Sequence, residues 1–256
     1  MVSCKLLLSL LALVAVAQAI IRPGYGYGYG GGGGKNHPKT KKPTPAPTPA
    51  PTTTPVPVES TTLKMTPACE PGYTLYKRGS GYWCMKVVRG VNVTVSEAAA
   101  LCTAEQSVLT NYENEAERLA VSAQAQALII GELGLSAGSI AVAGQRIKQC
   151  VSVDSAVISA PPCNDKALVF TVPASANTNP AYLWTTWAVD EPTSNHWISD
   201  VEECLQLNIQ PSDKERHQLV NDIYCNFKNA PNDPENTLYM NYGALCGQPN
   251  TFEASA

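Results

Sequence analysis

Carboxylates and amides gather in three short clusters between Trp187 and Cys225. The first is Trp187-Ala188-Val189-Asp190-Glu191-Pro192-Thr193, the second Glu202-Glu203-Cys204, and the third Val220-Asn221-Asp222, followed by Cys225. Hard cations such as Ca2+ take several oxygen ligands from carboxylates, side-chain amides and carbonyls. Three carboxylates packed together repel one another unless they are protonated or neutralised by a cation. A disulfide between Cys204 and Cys225 would hold the clusters close. Only X-Pro bonds adopt cis cheaply, and a cis Glu191-Pro192 bond would turn the side chains on both sides of the proline to one point. The chemistry on offer is therefore oxygen-ligand binding, with Ca2+ as the candidate ion. Hydrolytic chemistry has no support, because no Gly-x-Ser-x-Gly or His-Glu-x-x-His constellation occurs. His37, His196 and His217 share no triad or metal-ligand spacing. The protein is expected not to be an enzyme.

These clusters need a scaffold. Gly72 to Tyr76 and Tyr82 to Val88 are rich in strand formers and are split by Gly79-Ser80-Gly81, which reads as a hairpin closed by Cys69 and Cys84. Asn92-Val93-Thr94 is an N-glycosylation sequon and implies a surface position for Asn92 if it is used. Ser96 reads as the N-cap of a first helix running through Cys102. Thr110 and Glu113 form a capping-box pattern ahead of a second helix. In it Ala116, Leu119, Ala120 and Ala123 recur at helical spacing, and the pattern persists to Leu128 or beyond. Glu113, Glu115 and Glu117 suit the positive end of that helix dipole. Gly131 to Gly138 reads as a loop, Ile140 to Ile147 as a strand and Leu168 to Val172 as another. Cys150 and Cys163 bracket a short segment that a local disulfide would pin as a hairpin or loop. Trp184 and Trp187 read as core, whereas Trp197, beside His196 in a polar loop, is the better ligand contact.

The chain as a whole carries a formal charge of -3, an average that hides an asymmetry. Residues 69–256 hold 11 Lys+Arg against 20 Asp+Glu, or -9, and the first 68 residues hold 7 against 1, or +6. An acidic globular part argues against nucleic-acid binding. Residues 1–19 read as a secretory signal: Lys5, an apolar run from Leu6 to Val16, and the small-x-small site Ala17-Gln18-Ala19. The run is too short to span a bilayer comfortably, so no transmembrane segment is expected. Residues 20–66 combine a Gly/Tyr-rich tract, a basic patch at Lys35 to Lys42 and a Pro/Thr run, which reads as a disordered, mucin-like stalk. The domain is expected over 67–256. Removal of Cys4 with the signal leaves eight cysteines, an even number that in an exported chain reads as a disulfide framework.

The order of these features resembles the C-type lectin-like domain. The weakened core strand Ala141-Val142-Ala143-Gly144-Gln145, the proline loop Trp187 to Thr193, Glu202-Glu203-Cys204, Val220-Asn221-Asp222 and the closing strand Tyr242 to Cys246 match that family's motifs over about residues 69–247. The departures are Asp190 for Gly, Thr193 for Asn and Val220 for Trp; such drift is similar to that of secreted nematode members. The resemblance implies an α+β fold with two helices, a mixed and mainly antiparallel sheet and a long loop region. It implies disulfides Cys102–Cys246 and Cys204–Cys225, likens Cys69–Cys84 to the extra bridge of long-form members, and leaves Cys150–Cys163. It implies Ca2+ ligands at Glu191, Thr193, Glu202, Asn221 and Asp222, with sugar hydroxyls completing the coordination. Thr193 is the weak member of that set, being shorter than an Asn and lacking its NH2 donor. The function so implied is a secreted, extracellular carbohydrate-binding protein acting on glycans or glycoproteins, with a role in innate defence. The competing readings are a calcium-independent protein-recognition domain and a structural component of extracellular matrix or mucus.

Overall fold

The computed structural model describes residues 64–197, 200–228 and 236–255. The signal and stalk expectations for residues 1–63 lie outside them. The first strand, β1 (Lys64–Ala68), begins ahead of the expected domain boundary and pairs antiparallel with the last strand, β11 (Thr251–Ser255).

The expected hairpin is β2 (Thr74–Arg78) and β3 (Gly81–Arg89), and Gly81 takes a φ of +126° at the turn. Two helices follow, α1 (Val95–Ala104) and α2 (Glu115–Gln126), with the short strand β4 (Val108–Leu109) between them. The central strand β5 (Gly138–Arg146) precedes a four-residue helix α3 (Ser155–Ile158) and β6 (Phe170–Thr171). After the proline loop come β7 (His196–Trp197), β8 (Asp200–Ile209), β9 (Val220–Tyr224) and β10 (Asn241–Pro249). The main sheet runs β2-β3-β10-β5-β8-β7, with β4 added to β10, β6 to β5 and β9 to β8. Among the described strands β10 and β5 alone pair in parallel, so the sheet is mixed and mainly antiparallel as expected.

The alternation of β5 explains how the two sides of the sheet are covered. Ile140 and Val142 enter the large core with Trp83, Met85, Leu205 and Leu207. Ala141 faces the opposite way and meets Ala98, Ala244 and the Cys102–Cys246 pair. Small residues there let α1 lie close to the sheet. Its N-cap is Thr94, two residues before the expected Ser96, and Thr94 and Glu97 form a reciprocal capping box. Asn92 of the sequon is half-buried, at a left-handed φ of +53°.

The second helix departs from expectation in two ways. Thr110 is not a cap: its hydroxyl accepts from Trp83 Nε1 at 3.1 Å and donates to the Ala176 carbonyl at 2.6 Å, both buried. The helix starts later, capped by Asn114, and continues as a π-helix over Ala127–Glu132, past Leu128 and through the first two residues of the expected loop. The inward face is also not the alanine and leucine stripe. Glu117, Val121, Ala125 and Ile129 are buried, whereas Leu119 is 44% exposed. A carboxylate can lead that inner face because Arg78 meets Glu117 with two hydrogen bonds, 3.0 and 2.8 Å, inside the protein. The segment between Cys150 and Cys163 is helical turn rather than hairpin. All four expected disulfides are present, Cys69–Cys84, Cys102–Cys246, Cys150–Cys163 and Cys204–Cys225.

Candidate functional site

Three elements bring the clusters together. The proline loop follows Trp187, which packs against Phe170 and stacks on Trp184 at 5.9 Å between ring centroids. Backbone bonds tie the loop entrance to β9: Val220 N–H donates to the Thr186 carbonyl and Ala188 N–H to the Val220 carbonyl, each 2.8 Å. Val220 itself is fully buried. Strands β8 and β9 pair with Leu205 opposite Asp222 and Gln206 opposite Asn221, and Cys204–Cys225 clamps the same hairpin.

The Glu191-Pro192 bond is cis. Beyond it, Thr193, Ser194 and Asn195 turn their backbone N–H groups onto the carboxylates. Thr193 N–H reaches Glu191 Oε2 at 3.0 Å and Asp222 Oδ1 at 3.3 Å, Ser194 N–H reaches Asp222 Oδ2 at 3.1 Å, and Asn195 N–H reaches Glu202 Oε2 at 3.0 Å. The Thr193 hydroxyl also donates to Glu202 Oε2, at 2.9 Å. Successive N–H groups turned to one side form an anion-binding concavity, and here the anions are the protein's own. Ser194 adopts a left-handed φ of +59° to make this turn.

Two guanidinium groups complete the set. Arg146, at the end of β5 and fully buried, donates through Nη2 to Asp222 Oδ2 at 2.5 Å and through Nε to the Glu202 carbonyl at 2.7 Å. Its guanidinium lies 4.6 Å from the Phe170 ring centroid. Arg216, from the turn between β8 and β9, donates to Glu191 Oε1 at 3.0 Å and Asn221 Oδ1 at 3.2 Å, and rests over Tyr239. Lys166 donates to the Glu191 carbonyl. Glu191, Glu202, Asn221 and Asp222 are all buried, and Thr193 is exposed at the rim. Burial pushes the Glu202 carboxyl up to about 8, reinforced by the Asp222 and Glu191 charges. Burial raises Asp222 as well, against the pull of Arg146.

The five residues expected at the site therefore do converge. Trp197 joins them only through its backbone, paired with Asp200, and its side chain lies outside the described residues. Their oxygens, however, are committed to backbone N–H groups and to two cations. A Ca2+ ion drawing on Glu191, Asn221 and Asp222 would meet guanidinium groups already bonded to those same side chains, at strongly repulsive distances. In this arrangement those oxygens are taken up by guanidinium and backbone N–H donors, and the five residues as placed here do not fit Ca2+. Among the described residues no group of three or more His, Cys, Asp or Glu side chains is placed to hold a metal ion.

Arg146, Arg216 and Lys166 had no part in the reading of the sequence. Arg146 carried one usable signal: it shares the inward parity of Ile140 and Val142 on β5, and a buried arginine requires an anionic partner. Arg216 and Lys166 sit in polar turns without periodicity and carried none.

Beside the proline loop a cavity of about 300 Å³ opens toward the Cys150–Cys163 segment. Ser155, Ser159, Asn164, Thr193 and Ser194 give it hydroxyls and an amide, and Pro192 an apolar wall.

A family model for C-type lectin domain-containing protein 141/158 matches residues 74–249. The chain belongs to that family. It is 35% identical over 202 residues to C-type lectin domain-containing protein 141 of Caenorhabditis elegans, covering 73% of this chain and 64% of that relative, so it spans slightly less than two thirds of the relative's length. It is 31% identical over 188 residues to protein 158 of the same organism, covering 70% of this chain and 88% of the other. Among solved structures, the cow C-type carbohydrate-recognition domain of CD23, crystallised in the presence of a GlcNAc2Man3 oligosaccharide, is similar at a TM-score of 0.45 and 12% identity, covering 73% of this chain and 99% of that one. Members of this family are generally non-enzymatic binding domains. Among the described residues no helix is long and apolar enough to cross a membrane.

Proposed function

We propose that the protein is a secreted glycan-binding module that takes saccharides at the cis-proline loop by direct hydrogen bonds, without a requirement for Ca2+. The observation that carries this reading is the cavity of about 300 Å³ beside that loop. Hydroxyl and amide side chains at its wall match the alternating donors and acceptors of a sugar, and Pro192 and Ile158 offer apolar surface to a ring face. A volume near 300 Å³ is at the small end of ligand pockets and suits one or two sugar units. No carboxylate lines it, and Lys166 is its charged member, so neutral and anionic saccharides are favoured over cationic ones. Extracellular placement and carriage on a glycosylated stalk belong to the same proposal and rest on the sequence of residues 1–66; a role in innate defence belongs to it as well and rests on the family resemblance.

A glycan array probed with the full secreted chain, in CaCl2 and again in EDTA, tests it. The expected result is saccharide binding of equal strength in both, lost at least tenfold in Ser159→Trp, which fills the cavity from an exposed position. Binding that vanishes in EDTA would overturn direct recognition. A well-folded chain that binds no glycan in either buffer would favour the protein-recognition reading instead.

A further inference from the structure

We infer that Arg146 and Arg216 together replace a divalent cation, holding the proline loop to β8 and β9 by fixed charges that need no ion and respond to none. The groups they join are the ones an ion at this place would have to join. Arg146 links Asp222 of β9 to the main chain of Glu202 on β8. Arg216 links Glu191 of the loop to Asn221 of β9. Each guanidinium also lies against an aromatic ring, Phe170 for Arg146 and Tyr239 for Arg216, which fixes its plane while Nε and Nη2 of Arg146 and Nη1 of Arg216 donate to oxygen. The arginines come from β5 and from the turn before β9, two places that contribute no carboxylate to the cluster. The charge count follows. Two of the three carboxylates, Glu191 and Asp222, are each paired with a guanidinium group, leaving little net attraction for a divalent ion, whereas loss of one arginine would leave the cluster short of positive charge.

Arg216 is the arginine to test, because its side chain is 26% exposed while Arg146 is fully enclosed. The inference concerns the face proposed above for saccharides, but its readouts involve no sugar, so either can fail alone. Melting of the full chain would be followed in CaCl2 and in EDTA. Wild type is expected to melt at the same temperature in both. Arg216→Gln is expected to melt lower in EDTA and to recover saturably as CaCl2 is added, since an ion that binds only the folded state stabilises it by mass action. Arg216→Lys, which keeps the charge, should respond less to CaCl2 than Arg216→Gln. A saturable rise of the wild-type melting temperature with CaCl2 would overturn the inference, as would an Arg216→Gln chain that folds and ignores CaCl2. If Arg216→Gln folds in neither buffer, titration of wild type with terbium(III), read by tryptophan-sensitised luminescence, decides. No saturable signal supports the inference, and one-to-one binding overturns it.

Discussion

At the scale of single residues, the site is governed by how few positive charges serve its carboxylates. Asp222 has Arg146 and Glu191 has Arg216, but Glu202 is met only by the Thr193 hydroxyl and the Asn195 N–H. Burial, reinforced by the Asp222 and Glu191 charges and only partly offset by these neutral donors, raises its pKa to about 8 from 4.5. A carboxyl with a raised folded pKa contributes stability that is whole below its unfolded pKa and is lost as pH climbs through the folded one. Melting temperature is therefore expected to fall from pH 5 to pH 8, with a slope of up to about 1.4 kcal/mol per pH unit from this one proton. Glu202→Gln should flatten that slope. An unchanged pH profile in the variant would show that another group titrates. The same residue scale explains why Thr193 serves this site well despite being a poor ion ligand. Its short hydroxyl bonds Glu202 directly, and its N–H is shared between Glu191 and Asp222.

At the scale of elements, buried charge pairs decide which faces pack. The Arg78–Glu117 pair fastens the β2–β3 hairpin to α2, with both side chains almost wholly enclosed. Arg78 also donates to the carbonyls of Asn111 and Asn177, so it pins the loops on either side of the helix start. Removing one partner strands a buried charge. Arg78→Met is expected to cost about 3–5 kcal/mol, read as a loss of melting temperature, and adding Glu117→Met should recover part of it. A single variant with wild-type stability would show that the pair carries no such weight. The pair also accounts for how far sequence periodicity reached. The alanines and leucine at helical spacing located the helix, yet its inner face begins with a glutamate, because a distant arginine makes burial of that carboxylate tolerable.

At the scale of the whole molecule, the fold is a sheet closed late. The chain must bring Cys102 and Cys246, 144 residues apart, together on the face under α1, and must seat β10 between β3 and β5. Closing a loop of that length stabilises by about 4–5 kcal/mol on the chain-entropy account. The double variant Cys102→Ser/Cys246→Ser should lose close to that amount in denaturant unfolding, whereas Cys150→Ser/Cys163→Ser, with a separation of 13 residues, should lose less. Equal losses from the two would contradict the loop-length argument. Along the sequence the excess positive charge lies before residue 69, and the residues after it are net acidic.

The sequence by itself determined the scaffold. The strand-rich segments and the helical spacing are local patterns, and the hairpin and the two helices are where those patterns put them; the mixed sheet and the pairing of the eight cysteines follow what the resemblance to the C-type lectin-like domain implies. Helix starts shifted, because Thr110 found a partner in the core and Thr94 formed the better cap. What only the tertiary structure decided is the electrostatic state of the cluster between Trp187 and Cys225. That state depends on Arg146 and Arg216, one 45 residues before Glu191 and the other in the turn between β8 and β9, both brought in by strand pairing. Charge compensation acts through space over a few ångströms, so no spacing along the chain records it.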